Sequence, residues 1–285
     1  MKTSLSYLPT KKQFKISQIV DIIKEIVNPE MVILFGSYAK GKQVEHKYKG
    51  RDGIVYEYMS DYDFLVVTQK NTKETSEQEW KIEEATEKFD PPLNLEIHEI
   101  EYINKGLEFG QYFFTDIINE GVVLFDTGNT KFTVVRELTK LEEKEIAQMY
   151  FDKWFLRAKG FLQSVLFNYS KNEFAIAAFE LHQTTERFYN TVLLVFTGYK
   201  PKTHNLNKLR RKAKHISEEL FLLFPVETNK HEKQLFELLK QSYIDARYKM
   251  DYEITSEDLM ELIEHVQKME KIVEEICKQR IVSFG

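Results

Sequence analysis

Apolar residues in the first 125 positions switch between two spacings. Phe14, Ile16, Ile19, Ile22, Ile23 and Ile26 recur at about the helical period, and Asn28-Pro29 closes that segment. The short apolar run 31–35 ends at Gly36 and suits a buried strand. Residues 55–67 (VYEYMSDYDFLVV) alternate at first and then run apolar. They predict a strand whose partner lies in 43–49, across a 50-GRDG-53 turn. A charged, helix-favouring stretch at 73–89 stops at Asp90-Pro91-Pro92. Residues 93–100 (LNLEIHEI) alternate strictly, with Leu93, Leu95 and Ile97 on one face and Asn94, Glu96 and His98 on the other. A helix over 111–120, stopped by Gly121, and a last strand over 122–126 complete the set.

Beyond 135 the two-residue period disappears. Helical spacing covers roughly 140–169, 173–197, 204–223, 230–248 and 256–280. Phe151, Phe155, Ala158, Leu162, Val165 and Tyr169 form one stripe. Leu259, Leu262, Val266, Met269, Val273 and Ile276 form another, opened by the capping pattern 255-TSED-258. The chain therefore reads as α+β: a mixed sheet with helices over 1–127, a polar joint at 126-DTGNT-130, and an all-α bundle of about five helices over 135–285.

A net charge of −5 argues against wholesale coating of nucleic acid, while leaving room for a local basic groove. The single cysteine, Cys277, excludes a disulfide framework or a cysteine metal cluster. The N-terminus lacks a signal-peptide pattern, and no apolar run approaches the roughly 20 residues of a membrane span. The expected setting is the cytoplasm, away from membranes.

Candidate chemistry gathers around 34-LFGSYAKG-41 and 60-SDYDFLVV-67. Asp61 and Asp63, two apart on the expected strand, project from one face, and such a pair is costly unless a cation neutralises it. An all-oxygen set suits Mg²⁺, with substrate phosphates completing its shell. The glycines of 36-GSYAKG-41 let backbone approach an anion, Ser37 can donate to a phosphate oxygen, and Lys40 and Lys42 add positive charge. Glu96 is the candidate third acid, which would let two metal ions flank an in-line phosphoryl displacement. Each part has a plain alternative: Gly-Ser turns are common, a D-x-D on an edge strand is usually a solvated face, and Glu96 could be an exposed strand residue. The combination is more specific than its parts.

These residues resemble the signature of polymerase-β-type nucleotidyltransferases, in particular the minimal members and the related antibiotic-modifying enzymes. The resemblance covers about 15–126. It implies that Gly36 and Ser37 hold a nucleoside triphosphate such as ATP. It also implies that Asp61 and Asp63 bind two Mg²⁺ ions, with a third strand acid as base. Two departures stand out. The eighteen residues 42–59 exceed the usual connector and carry five basic residues and three tyrosines, so an extra hairpin sits at the mouth of the site, as cover, acceptor wall or solvated loop. Glu96 is assigned only by position and strand face.

The second half, through 180–209 and 243-YIDARYKMDYEIT-255, resembles HEPN helical bundles, which often accompany minimal nucleotidyltransferases. Many HEPN proteins are ribonucleases using an R-x4–6-H motif. Here Arg247 holds the place of the arginine, but Asp251, Tyr252 and Glu253 stand where the histidine belongs. A literal R-x4-H, Arg210 to His215, falls in the wrong helix for the family. His182 and Glu186, at i and i+4, suit either a ligand pair or buried hydrogen bonding, and Arg247 with Tyr248 could touch a phosphate or acceptor.

The expected activity is transfer of a nucleoside monophosphate from ATP or another triphosphate to a hydroxyl of a small molecule, protein or RNA. The helical domain would line the acceptor cleft, and a homodimer sharing that cleft is compatible. The alternative is a nucleotide- or RNA-binding regulatory module of toxin–antitoxin type. A nuclease built on Arg210 and His215 is a third reading.

Overall fold

The computed structural model describes residues 1–43, 45–49, 55–69, 75–249 and 252–284, with backbone alone at 45–49, 55–59, 76 and 248. It divides into two units, Met1–Glu137 and Leu138–Gly285.

The first unit opens with α1 (Thr10–Val27), which buries Ile16, Ile19, Val20, Ile23 and Val27. It ends where Asn28 takes the left-handed conformation and its N–H caps the Lys24 carbonyl. A four-stranded sheet follows in the order β5-β4-β1-β6, from β1 (Met31–Phe35), β4 (Tyr62–Thr68), β5 (Leu93–Glu99) and β6 (Val122–Asp126). β1 is antiparallel to both β4 and β6, whereas β4 and β5 are parallel. That parallel pair needs a crossover, which contains α3 (Thr75–Thr86). Leu34, Tyr38, Tyr62, Phe64, Val66 and Ile97 join the α1 residues in one core.

The expected strand over 55–67 is two strands. β3 (Val55–Met59) pairs with β2 (Glu45–Lys49) in a separate hairpin, whose 50–53 turn lies outside the described residues. β4 starts afresh at Tyr62, whose N–H bonds Pro92 O. The two halves have different partners, so Ser60 and Asp61 sit at a joint. The 36–40 turn is a single-turn helix, α2 (Gly36–Lys40). A helix that the apolar spacing does not predict, α4 (Ile100–Glu108), follows β5 directly and precedes α5 (Tyr112–Glu120).

In the second unit, α6 (Lys140–Ser170) starts at a capping box between Thr139 and Glu142. α7 (Phe174–Thr197) is buried nearly all round in its second half and forms the centre of the bundle. The expected helix over 204–223 is α8 (Leu206–Ala213) and α9 (Glu218–Leu222), because Ser217 caps a new start. Likewise 230–248 divides into α10 (Lys230–Gln241) and α11 (Asp245–Tyr248), where Ser242 Oγ bonds the Ala178 and Leu239 carbonyls. α12 (Ser256–Val282) begins at its Thr255 cap, as the 255–258 pattern predicts. Among the described residues no helix is long and apolar enough to cross a membrane.

Candidate active site

Sheet register assembles the first site. In the parallel β4–β5 pair, Asp63 lies opposite Asn94, Leu65 opposite Glu96 and Val67 opposite His98. Side chains alternate along each strand, so Asp63 shares its face with Asn94, Glu96 and His98. That face is not solvated: Asp61, Asp63 and Glu96 are 3%, 4% and 6% exposed. Asn94 Nδ2 donates to Asp63 Oδ1 at 3.0 Å, which fixes the carboxylate. Asp61 stands just before β4 instead of on a continuous strand.

On the other side, β1 places Phe35 opposite Asp63, so the chain enters α2 beside that carboxylate. Gly36 has φ +70°, and a Cβ there would overlap Asp63 Oδ2. Backbone conformation and close approach therefore both require glycine. Next to it, Ser37 Oγ is buried with no hydrogen-bond partner among the described residues. A buried hydroxyl in that state is costly until a polar group arrives, and a phosphate oxygen would satisfy it. Lys40 ends α2 in an ion pair with Glu120 of α5.

Glu96 has its own partner. His98 Nε2 lies 3.1 Å from Glu96 Oε2, with both side chains buried. The His98 ring stacks on Tyr102 (4.9 Å) and meets Phe114 edge-on (5.8 Å). Among the described residues no three His, Cys, Asp or Glu side chains are gathered closely enough to hold a metal ion. The two buried aspartates still suit Mg²⁺, which is commonly held by one or two carboxylates with phosphate oxygens and water. No motif assigns a role to Asn94 or His98, although the strict alternation of 93–100 puts both on the face of Glu96.

A second polar cluster lies in the helical unit. Glu186 on α7 pairs with His204 Nδ1 at 2.9 Å, not with His182. His182 and His204 each stack on Tyr243 at 4.9 Å. The Arg247 guanidinium lies over Tyr243 (4.5 Å) and Phe179 (4.9 Å), and its Nε donates to Tyr243 O. Burial, with His204 and Arg247 close by, pulls the His182 pKa down to about 3. His182 bonds the backbone of His204, while its Nδ1 has no partner among the described residues. Asp245 pairs with Lys249. The Tyr248 side chain lies outside the described residues, as does Asp251.

Arg210 does not form a nuclease pair with His215. It is fully buried, forked onto Glu227 at 2.8 Å on both Nη atoms, with Nε on Phe221 O and the guanidinium over the Phe221 ring. Its donors serve the fold, and His215 is exposed.

Comparison with known families agrees with this division. Residues 17–130 match the family described as Polymerase beta, Nucleotidyltransferase, and residues 151–276 match the HEPN domain. No curated protein matches the chain. The chain is a nucleotidyltransferase domain of the polymerase-β family followed by a HEPN domain.

Proposed function

We propose that the first unit moves a nucleoside monophosphate from ATP or another triphosphate to a hydroxyl acceptor. The bond from the acceptor oxygen to the α-phosphorus forms, the bond to the bridging oxygen breaks, and pyrophosphate leaves. The acceptor proton passes to Glu96. Ser37 would donate to a phosphate oxygen, and Asp61 with Asp63 would hold Mg²⁺. When bound, Mg²⁺ would supply charge neutralisation of the triphosphate. Asn94 keeps the Asp63 carboxylate in place. The HEPN unit would recognise the acceptor, with Arg247 as its phosphate-facing cation. One observation supports the reading: Gly36 packs directly against the Asp63 carboxylate, beside a Ser37 hydroxyl that has no hydrogen-bond partner among the described residues.

The test is release of pyrophosphate from labelled ATP with Mg²⁺ and small-molecule, protein and RNA acceptors. Asp63→Asn is expected to reduce transfer about 10²–10³-fold, the scale of losing one group that stabilises transition-state charge. If the wild-type protein releases pyrophosphate with none of the acceptors, the reading fails.

A second reading, a catalytically weak nucleotide- or RNA-binding regulatory module of toxin–antitoxin type, is favoured by one feature. The residue opposite Asp63 is the amide Asn94, not an acid. Nucleotide binding with no turnover would support it.

A further inference from the structure

We propose that His98 holds Glu96 out of the metal-binding set, so that Glu96 serves the acceptor hydroxyl alone and His98 is its positioning residue. This rests on the transferase reading and departs from an arrangement of three shared carboxylates.

Register supports the separation. Asn94, not Glu96, faces Asp63 across the strands, and its amide already occupies Asp63 Oδ1. Glu96 stands two residues further along β5, about 6.6 Å on, in the direction away from Asp61. Asp61 stands on the other side of Asp63, just before β4 begins. Among the described residues no group of three such acids is gathered closely enough to hold a metal ion.

The histidine is built to hold the acid. Glu96 and His98 lie two apart on one strand, so alternation delivers both to the same face without help from the rest of the fold. The imidazole cannot swing away, because Tyr102 stacks on it and Phe114 closes its edge. A Glu96 rotamer that left this pair would forfeit a hydrogen bond between two buried groups.

The test separates metal binding from transfer in the full-length protein. Mn²⁺ binding is measured by electron paramagnetic resonance, with and without a non-hydrolysable α,β-methylene ATP analogue. Glu96→Gln is expected to bind Mn²⁺ and the analogue within about twofold of wild type while losing 10²–10⁴-fold in kcat, the range for a missing general base. Asp63→Asn is expected to weaken Mn²⁺ binding by more than about tenfold, as loss of a ligand should. His98→Leu is expected to lower kcat by about tenfold with the KM for ATP unchanged. His98→Gln, which retains an N–H donor, should recover part of that loss, an effect that simple filling of the core would not produce.

If Glu96→Gln weakens Mn²⁺ binding as much as Asp63→Asn does, Glu96 is a metal ligand and the proposal is overturned. If His98→Leu and His98→Gln both keep wild-type kcat, the positioning role is overturned. If wild type binds Mn²⁺ and the analogue but transfers to no acceptor, the transferase reading fails and the role of Glu96 toward a hydroxyl falls with it. That outcome is distinct, because the metal measurement still shows whether Glu96 is a ligand.

Discussion

Each unit buries a glutamate beside a histidine, and the two pairs are built differently. Glu96 and His98 are neighbours on one strand, 3.1 Å apart, and both side chains are almost sealed from solvent. Glu186 and His204 are 2.9 Å apart, but the acid is buried on α7 while the imidazole is 58% exposed at the start of the chain leading to α8. The strand pair follows from alternation and would survive considerable change elsewhere. The helix–loop pair exists only because the bundle brings residue 204 back to α7. A sealed imidazole can orient its acid, whereas an exposed one can also exchange protons with water.

The largest effect that would break this contrast is expected at the sheet. Gly36→Ala places a methyl group into the Asp63 carboxylate and a side chain at φ +70°, so it should cost about 2–4 kcal/mol and abolish transfer. Urea unfolding followed through Trp80, in a variant lacking Trp154, should show the loss in the first unit.

The next effect lies under the helical pair. Above its ordinary value of 6.5, His182 is neutral in the folded and unfolded chain alike. Below it the unfolded chain takes up a proton that the buried imidazole refuses until about 3. Stability should therefore fall as pH falls from about 6.5 toward 3, by up to about 1.4 kcal/mol per pH unit. Unfolding monitored through Trp154, in a variant lacking Trp80, measures this. His182→Phe, which keeps a ring against Tyr243, should flatten the slope; an unchanged slope would place the pH dependence elsewhere.

The smallest effect sharpens the contrast at the exposed imidazole. His204→Ala removes the partner of a buried carboxylate and should destabilise the second unit by about 1–2 kcal/mol, read by the same Trp154 signal. Equal stability would mean that water replaces His204 without loss.

The sheet site was largely legible because local rules built it. Alternation placed Asn94, Glu96 and His98 on one face, and the small-residue turn after β1 marked the approach to Asp63. The choice of neighbours was not legible. That Asn94 faces Asp63 depends on β5 lying parallel to β4, a long-range pairing that strand propensity does not encode. The break at Ser60-Asp61 was hidden for the same reason: β3 and β4 are similar in pattern and differ in partner. In the helical half the apolar stripes predicted the long helices. The joints at 214–217 and 242–244 rest on single serine side chains. Tyr243 joins His182 and His204 from some sixty residues beyond α7's histidine, and no local spacing announces it.

Residues 1–8 act as a clasp on the turn that forms α2. α2 is one turn long, too short to hold itself in water. The Tyr7 hydroxyl donates to the Tyr38 and Ala39 carbonyls at its end, and Lys2 Nζ reaches the Ala39 carbonyl as well. Lys2 is in turn laced by its backbone to Gly121 and Val123 at the start of β6. A fusion partner or a protease acting at the amino end would thus pull mechanically on the turn that carries Ser37, although that serine lies thirty residues away in the chain. An affinity tag on this protein belongs at the carboxyl end.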